Sequence, residues 1–345
     1  MLALLNIFVD NMIPVLTIAA VGVVLRRRLH VDPAMISRMM FYVFAPALAF
    51  DAVYTSDISG GDFLRVYIGT LALMAAVGAI AFLVLRVLNC VGATYPVARH
   101  AQVNGGRHTM SPLQPAAEEA AATTCYSINR REFATALVAT FVFNGANFGL
   151  SIVNFAFGEA ALTYAVIIYI AGSTVAWTLG PYVSSSGAAS MLKSLESVLR
   201  TPVVYALALA LALKAAGILE LPPALSRSSQ LLADASIPLM LVLLGLQLGG
   251  FRKPDRWRLL LSGTAIRLLL APLLAIVCAS LLGLHGAARS AFILQAGMPT
   301  AVLTLILAYE FDTDRDLALN LIMTTTLLSP LSLTVLIYLL QNGVV

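Results

Sequence analysis

The chain has 345 residues, of which 60% are hydrophobic and 11% charged, and its mean hydropathy is +0.90. A soluble core could not hide that much apolar surface, so the composition excludes a soluble globular domain and predicts a multi-span membrane protein. The net charge of +4 comes from 21 basic against 17 acidic residues, and no basic cluster interleaves with aromatics, which argues against a nucleic-acid partner.

Apolar runs of about 20 residues, the length that crosses ~30 Å of hydrocarbon, predict ten spans. In chain order they are 4–25, 34–54, 64–87, 133–156, 160–182, 200–219, 229–249, 258–282, 287–310 and 316–340. The basic run Arg26, Arg27 and Arg28 follows the first span instead of preceding it, so that span reads as retained and not as a signal peptide. The second span contains FAPALAF, where Pro46 should bend it, and the seventh carries Pro238 near its start; the two read as repeat partners. Between spans three and four, residues 89–132 are polar and punctuated by Gly and Pro, which predicts a flexible cytoplasmic loop with a short helix at 115–123.

The fourth span is interrupted. FVFNGANFGLSIVNFAF, from Phe141 to Phe157, places Asn144, Gly145, Asn147, Gly149 and Ser151 between two apolar arms. A bilayer supplies no water to satisfy freed backbone groups, so a broken helix persists only where protein or a water-filled cavity covers it. The ninth span repeats the device in LQAGMPTAVLTLILAYEF, Leu294 to Phe311, with Gly297, Met298, Pro299 and Thr300 at its centre. Gly145 lies twelve residues before Phe157 and Pro299 twelve before Phe311, and each segment then runs into a short acidic turn. Interrupted spans in corresponding places of two halves point to a transporter site built from inverted repeats. Ten spans divide into five and five, and an odd-numbered repeat inserts its second copy upside down. The predicted organisation is a first five-helix repeat at 1–183, a cytoplasmic linker at 184–199, and an inverted second repeat at 200–345.

Helices that restart after a break present free N–H groups and a positive dipole end, which suit an anionic carboxylate. Gly149, Leu150 and Ser151 in the first half and Thr300 and Ala301 in the second are candidates for this role, with Asn144 and Asn147 as side-chain donors. The bland alternative is a close-packing Gly145-xxx-Gly149 face with an Asn pair serving neighbouring backbone. Arg267, near the middle of span eight, must face the protein interior, either as a substrate counter-charge or gate or as a bond to broken-helix carbonyls. Gln247, Gln295 and Ser329 are secondary polar candidates; Asp51, Glu159, Asp234 and Glu310, at span ends, are coupling candidates or solvated helix ends.

Counting Lys and Arg beside the spans gives sixteen on one side and four on the other, with Arg267 inside a span. The bias predicts both termini outside the cytoplasm of a cell membrane. Cys90, Cys125 and Cys278 form no CxxC, and His30, His100, His108 and His285 are scattered, so neither a disulfide nor a metal site is predicted. Walker and Rossmann glycine patterns are absent, which argues against an ATP-driven pump and against a nucleotide cofactor.

Three segments carry a family likeness: NGANFGLSIVNFAFGEAAL, LQAGMPTAVLTLILAYEFDTD, and VLRRRLHVDPAMISRMMFYVFAPALAF. They resemble the auxin efflux carrier family, whose plant members include the PIN carriers and whose bacterial members are mostly assigned to small carboxylates. The resemblance covers nearly the whole chain outside 89–132. It departs where the family's proline after Gly-Leu is replaced by Ser151, so the first break is expected to be softer. It implies an all-α polytopic fold akin to the bile-acid symporter and sodium/proton antiporter group. In that fold helices four and nine are broken and cross at the midplane, and a transport domain moves against a scaffold. The expected function is secondary active transport of small organic anions, as an efflux carrier working by alternating access, in contact with the lipid bilayer. A passive anion channel or facilitator is the alternative, and a membrane-embedded sensor or enzyme a third; the spans show neither a ring of like charge nor a catalytic constellation. Coupling to a proton or sodium and assembly as a homodimer are compatible with the sequence.

Overall fold

The computed structural model describes residues 2–92, 128–185, 201–218, 220–247 and 256–345. The expected short helix at 115–123, most of the 89–132 loop, nearly all of the 184–199 linker, Cys125 and the flanking bases Arg99, Arg107, Lys193, Arg200, Arg252 and Lys253 lie outside the described residues.

Among the described residues the chain is helical. We label α1 Ala3–Leu29, α2 Pro33–Tyr54 and α3 Gly60–Asn89, then α4 Arg130–Phe141. The stretch Gly145–Ser184 is turned at Gly158, whose φ of 74° leaves the helical region, so we divide it into α5 (145–157) and α6 (159–184). There follow α7 Pro202–Ala215, α8 Pro223–Gln247, α9 Trp257–Leu281, α10 Gly286–Ala296, α11 Leu303–Glu310 and α12 Arg315–Gln341. Among the described residues, seven stretches are long and apolar enough to cross a membrane: α1, α2, α3, the Gly145–Ser184 stretch, α8, α9 and α12. Of the other predicted spans, 133–156 and 287–310 are cut in the middle, and 200–219 falls on the 14-residue α7.

Local sequence explains the helix ends. Asp32 accepts from the Ala34 N–H ahead of α2 with Pro33 at the first helical position. Asn129 and Glu132 form a reciprocal capping box at α4, and Asp314 accepts from the Leu317 N–H at α12. Proline explains three internal distortions. A five-residue π-turn stands just ahead of Pro14, Pro46 and Pro272, at Phe8–Met12, Met40–Phe44 and Ile266–Leu270. Proline lacks an N–H and its ring crowds the carbonyl four residues back, and a widened turn absorbs both defects without ending the helix. The strain expected at Pro46 is taken up in this way, whereas Pro238 stays inside α8 with no such turn.

The helices pack as two groups. Helices α1, α2, α7 and α8 pack on one another, and α3, α4, α5, α6, α9, α10, α11 and α12 form the other group. Side-chain hydrogen bonds knit each group internally. In the first group Arg26 donates to the Leu246 carbonyl, Tyr54 to the Ile218 carbonyl, Ser236 to the Phe44 carbonyl, and Lys214 to the Val53 carbonyl. In the second, Tyr67 shares a hydrogen bond with Thr174, Glu132 pairs with Arg256, and Thr135 donates to Thr313. The groups meet where α8 lies against the start of α5, where α1 and α2 face the Gly145–Ser184 stretch, and where α1 packs on α12.

Candidate functional site

Helix α4 stops at Phe141 and α10 stops at Ala296, and the two stumps are joined by backbone. The Asn144 N–H donates to the Pro299 carbonyl (2.8 Å) and the Ala301 N–H to the Val142 carbonyl (3.0 Å). Phe143 and Thr300 thereby form an antiparallel bridge. This exchange satisfies groups that interrupted helices would otherwise leave bare inside a bilayer. Asn144 sits at φ −80° and ψ 64°, and the Gly145 N–H donates back to the Phe143 carbonyl (2.9 Å), which makes a three-residue inverse turn. From Gly145 the chain resumes as a π-turn to Leu150 and then as regular helix from Ser151. In the other half, Pro299 lies in the extended link and α11 begins at Leu303.

Side chains fix the crossing from three directions. Thr300 donates through Oγ1 to the Ala139 carbonyl (2.8 Å) and through its backbone N–H to the Thr325 Oγ1 (3.1 Å). Gln295, fully buried, donates to the carbonyls of Gly145 and Ala165 (both 3.3 Å). Arg267, 2% exposed and inside the π-turn ahead of Pro272, donates to the Thr140 carbonyl (3.0 Å) and to the Ala296 carbonyl. Its guanidinium also lies 5.8 Å from the Phe143 ring centroid.

A cavity of about 190 Å³ opens beside the crossing, between the two helix groups. It is lined by Asn144, Gly145 and Asn147 at the start of α5, by Ala301, Val302 and Leu303 at the start of α11, and by Gln247 at the end of α8. Both restarting helices therefore present their N-terminal ends to this space, and among the described residues none that lines it is acidic or basic. Among the described residues the Asn144 Nδ2 is buried with no hydrogen-bond partner, and the Gln247 Oε1 likewise. A buried unpaired amide is costly, and Asn144 is one of the residues that line the cavity.

Of the other sequence candidates, Gly149, Ser151, Met298, Pro299, Thr300 and Arg267 do not line this cavity. Gly149 and Ser151 face the packed interior, Met298 is fully buried, and Pro299 and Thr300 build the backbone exchange. Asp51, Glu159 and Asp234 come together around a second cavity of about 520 Å³, which also lies between the groups, seven residues further along α5 from Asn147 at Asn154. Asp51 is half-buried and the other two are exposed; Glu310 stands apart, exposed at the end of α11. Tyr169, Ser173 and Trp177 were not singled out from sequence, yet they line the first cavity from α6. Their i, i+4, i+8 spacing on one face of an apolar span was the available signal. Beside them Gly172 leaves room for the Phe143 ring, since a Cβ there would lie 2.7 Å from its Cζ.

Gly149 is required by Gln295. A Cβ at Gly149 would overlap the Gln295 Oε1 and approach its Cδ to 2.8 Å. Gly149→Ala is expected to destabilise the protein by about 2 kcal/mol, through overpacking and loss of the Gln295 bonds. Adding Gln295→Ala should restore part of that, because the obstructing group is a side chain. Thermal melting of the four proteins of the double-mutant cycle checks this, and strictly additive losses would refute the contact.

Residues 187–337 match the family described as "Membrane transport protein". An uncharacterized transporter of Methanothermobacter thermautotrophicus is 31% identical over 200 residues, covering 57% of this chain and 64% of the relative. An uncharacterized transporter of Methanocaldococcus jannaschii is 26% identical over 191 residues, 54% of this chain and 61% of the relative. The chain thus spans under two thirds of the length of these curated relatives. Over residues 187–337 the chain is thus similar to the membrane transport protein family, and over 200 residues to an archaeal transporter.

Proposed function

We propose that the protein is a secondary active transporter of small organic anions, carboxylates or auxin-like acids, working by alternating access at the crossing and carrying its substrate outward. The observation that carries this reading is the cavity where the N-termini of α5 and α11 meet beside the unpaired Asn144 amide. Helix N-termini and amide donors with no fixed charge bind a carboxylate without trapping it. The names of the two archaeal relatives, both transporters, favour the same class. The two cavities lie in sequence along one interface between helix groups, each group internally cross-linked by its own hydrogen bonds. That arrangement suits two bodies that slide past each other and expose the site first to one side and then to the other.

The finer architecture belongs to the same proposal. We assign ten passes to the helices, with α4 and α5 together as the fourth and α10 and α11 as the ninth, in two inverted five-helix repeats at 1–183 and 200–345. Both termini lie outside the cytoplasm of the cell membrane, the orientation favoured by the Lys and Arg bias.

Full-length protein in proteoliposomes loaded with radiolabelled carboxylate tests this, with and without imposed proton and sodium gradients. The expected result is saturable flux that unlabelled anion on the opposite face accelerates by exchange. Non-saturable flux without exchange would instead identify a channel, and no flux of any carboxylate would reject the substrate class.

A further inference from the structure

Four helix ends converge on the crossing, two of each polarity. Helices α4 and α10 end there, and their last carbonyls give each C-terminus about half a negative charge. Helices α5 and α11 begin there and give each N-terminus about half a positive charge. Left alone, these ends would nearly cancel for a ligand a few ångströms away. Arg267 changes the sum, because it donates to Thr140 in the last turn of α4 and to Ala296, the last residue of α10. No acidic side chain forms an ion pair with Arg267 among the described residues. One full positive charge therefore stands against two half-negative ends, and the N-terminal ends are left unopposed at the cavity.

We infer that Arg267 is a positioning residue that sets the valence of the substrate site, making the cavity complementary to a monoanion with a single carboxylate. This rests on the proposed anion site and deepens it. Among the described residues the cavity wall carries no basic side chain to meet a second carboxylate. The unopposed dipole ends together supply about one positive charge, which matches one carboxylate and leaves a dianion under-compensated. Asn144, 5% exposed and with its Nδ2 unpaired, supplies the directional hydrogen bond that dipole ends alone do not. Arg267 acts through the helix ends without touching the ligand, since it does not line the cavity.

The test measures binding of benzoate, phthalate and benzamide to the purified full chain in detergent by calorimetry. These probes share a ring and carry one, two and no negative charges. Wild type is expected to bind benzoate at least about ten-fold tighter than either of the others. Arg267→Lys keeps the charge and should preserve that order. Arg267→Gln keeps a donor for the carbonyls without the charge, and should lose most of the benzoate-over-benzamide preference. A merely structural role would lower stability but leave the ratio unchanged, so an intact ratio in folded Arg267→Gln overturns the inference. Should the Gln variant not fold, the decision falls to wild type and Arg267→Lys: phthalate bound as tightly as benzoate, or a lost preference in the folded Lys variant, overturns it, and the expected order in both supports it. Saturable binding of none of the three probes by wild type would remove the anion site itself, and this inference with it.

Discussion

Gly245→Val is expected to be the most damaging single substitution described here, because it separates α1 from α8 along their whole contact. The backbones of these helices touch: a Cβ on Gly245 would overlap the Ala19 carbonyl and lie 3.0 Å from the Gly22 Cα. From the other side, a Cβ on Gly22 would overlap the Val242 carbonyl and lie 2.9 Å from the Leu246 N. Where a side chain obstructs, as Gln295 does at Gly149, rotation relieves the clash. Here the obstruction is helix backbone, so one helix must shift, and the Arg26 bond to the Leu246 carbonyl one turn further on must stretch with it. In a bilayer, helix association depends on such close packing of small residues, since apolar burial gains nothing over lipid. The expected loss is about 3 kcal/mol or more, seen as a lower melting temperature and loss of a monodisperse detergent-solubilised peak. Gly60→Ala is the control, because a Cβ there meets nothing within 4 Å. A Gly245→Val protein that melts with wild type would show that these helices do not pack as described.

The second large effect is on binding and has the opposite sign for stability. Asn144→Leu removes a buried amide whose Nδ2 has no partner, so the ligand-free protein should melt at the wild-type temperature or slightly above it. Its backbone bonds, the N–H to Pro299 and the carbonyl to the Gly149 N–H, do not depend on the side chain, and its φ of −80° suits leucine. A hydrogen bond to a charged acceptor contributes about 2 kcal/mol, so carboxylate affinity should fall roughly 30-fold. Ligand-induced melting shifts and calorimetry separate the two effects. Unchanged affinity would remove Asn144 from the site, and a marked loss of ligand-free stability would show that its amide is bonded within the protein.

The contrast between these glycines and this asparagine reflects what different physical signals can say. In the sequence, both breaks are visible because Gly, Asn and Pro are poor helix formers inside apolar runs, and the structure interrupts helices at 142–144 and 297–302. Arg267 is visible as a charge where none is tolerated without a partner. The two readings of Arg267, ligand or helix carbonyls, could not be separated there, since both call for a buried donor. Ser151 follows Gly-Leu in the first break, where the chain resumes as a π-turn and passes into helix at Ser151. Tyr169, Ser173 and Trp177 escaped notice because a regular helix with scattered polar groups looks like any other apolar span.

By itself the sequence determined the membrane class, the positions of the apolar helices and the places where two of them fail. These properties are local: hydropathy over about 20 residues, capping residues at helix ends, and prolines or glycines that break hydrogen-bond ladders. Only the tertiary structure decided that the Val142–Asn144 and Pro299–Ala301 links exchange backbone hydrogen bonds, and that Arg267 bridges the two stumps. It alone divided the candidates into a cavity wall, with Asn144, Asn147 and Gln247, and a buried frame, with Gly149, Ser151 and Thr300. It also gathered Asp51, Glu159 and Asp234 around one space. Such groupings join residues up to about 180 positions apart along the chain, and they follow from which helix faces meet, a property that no window of sequence contains.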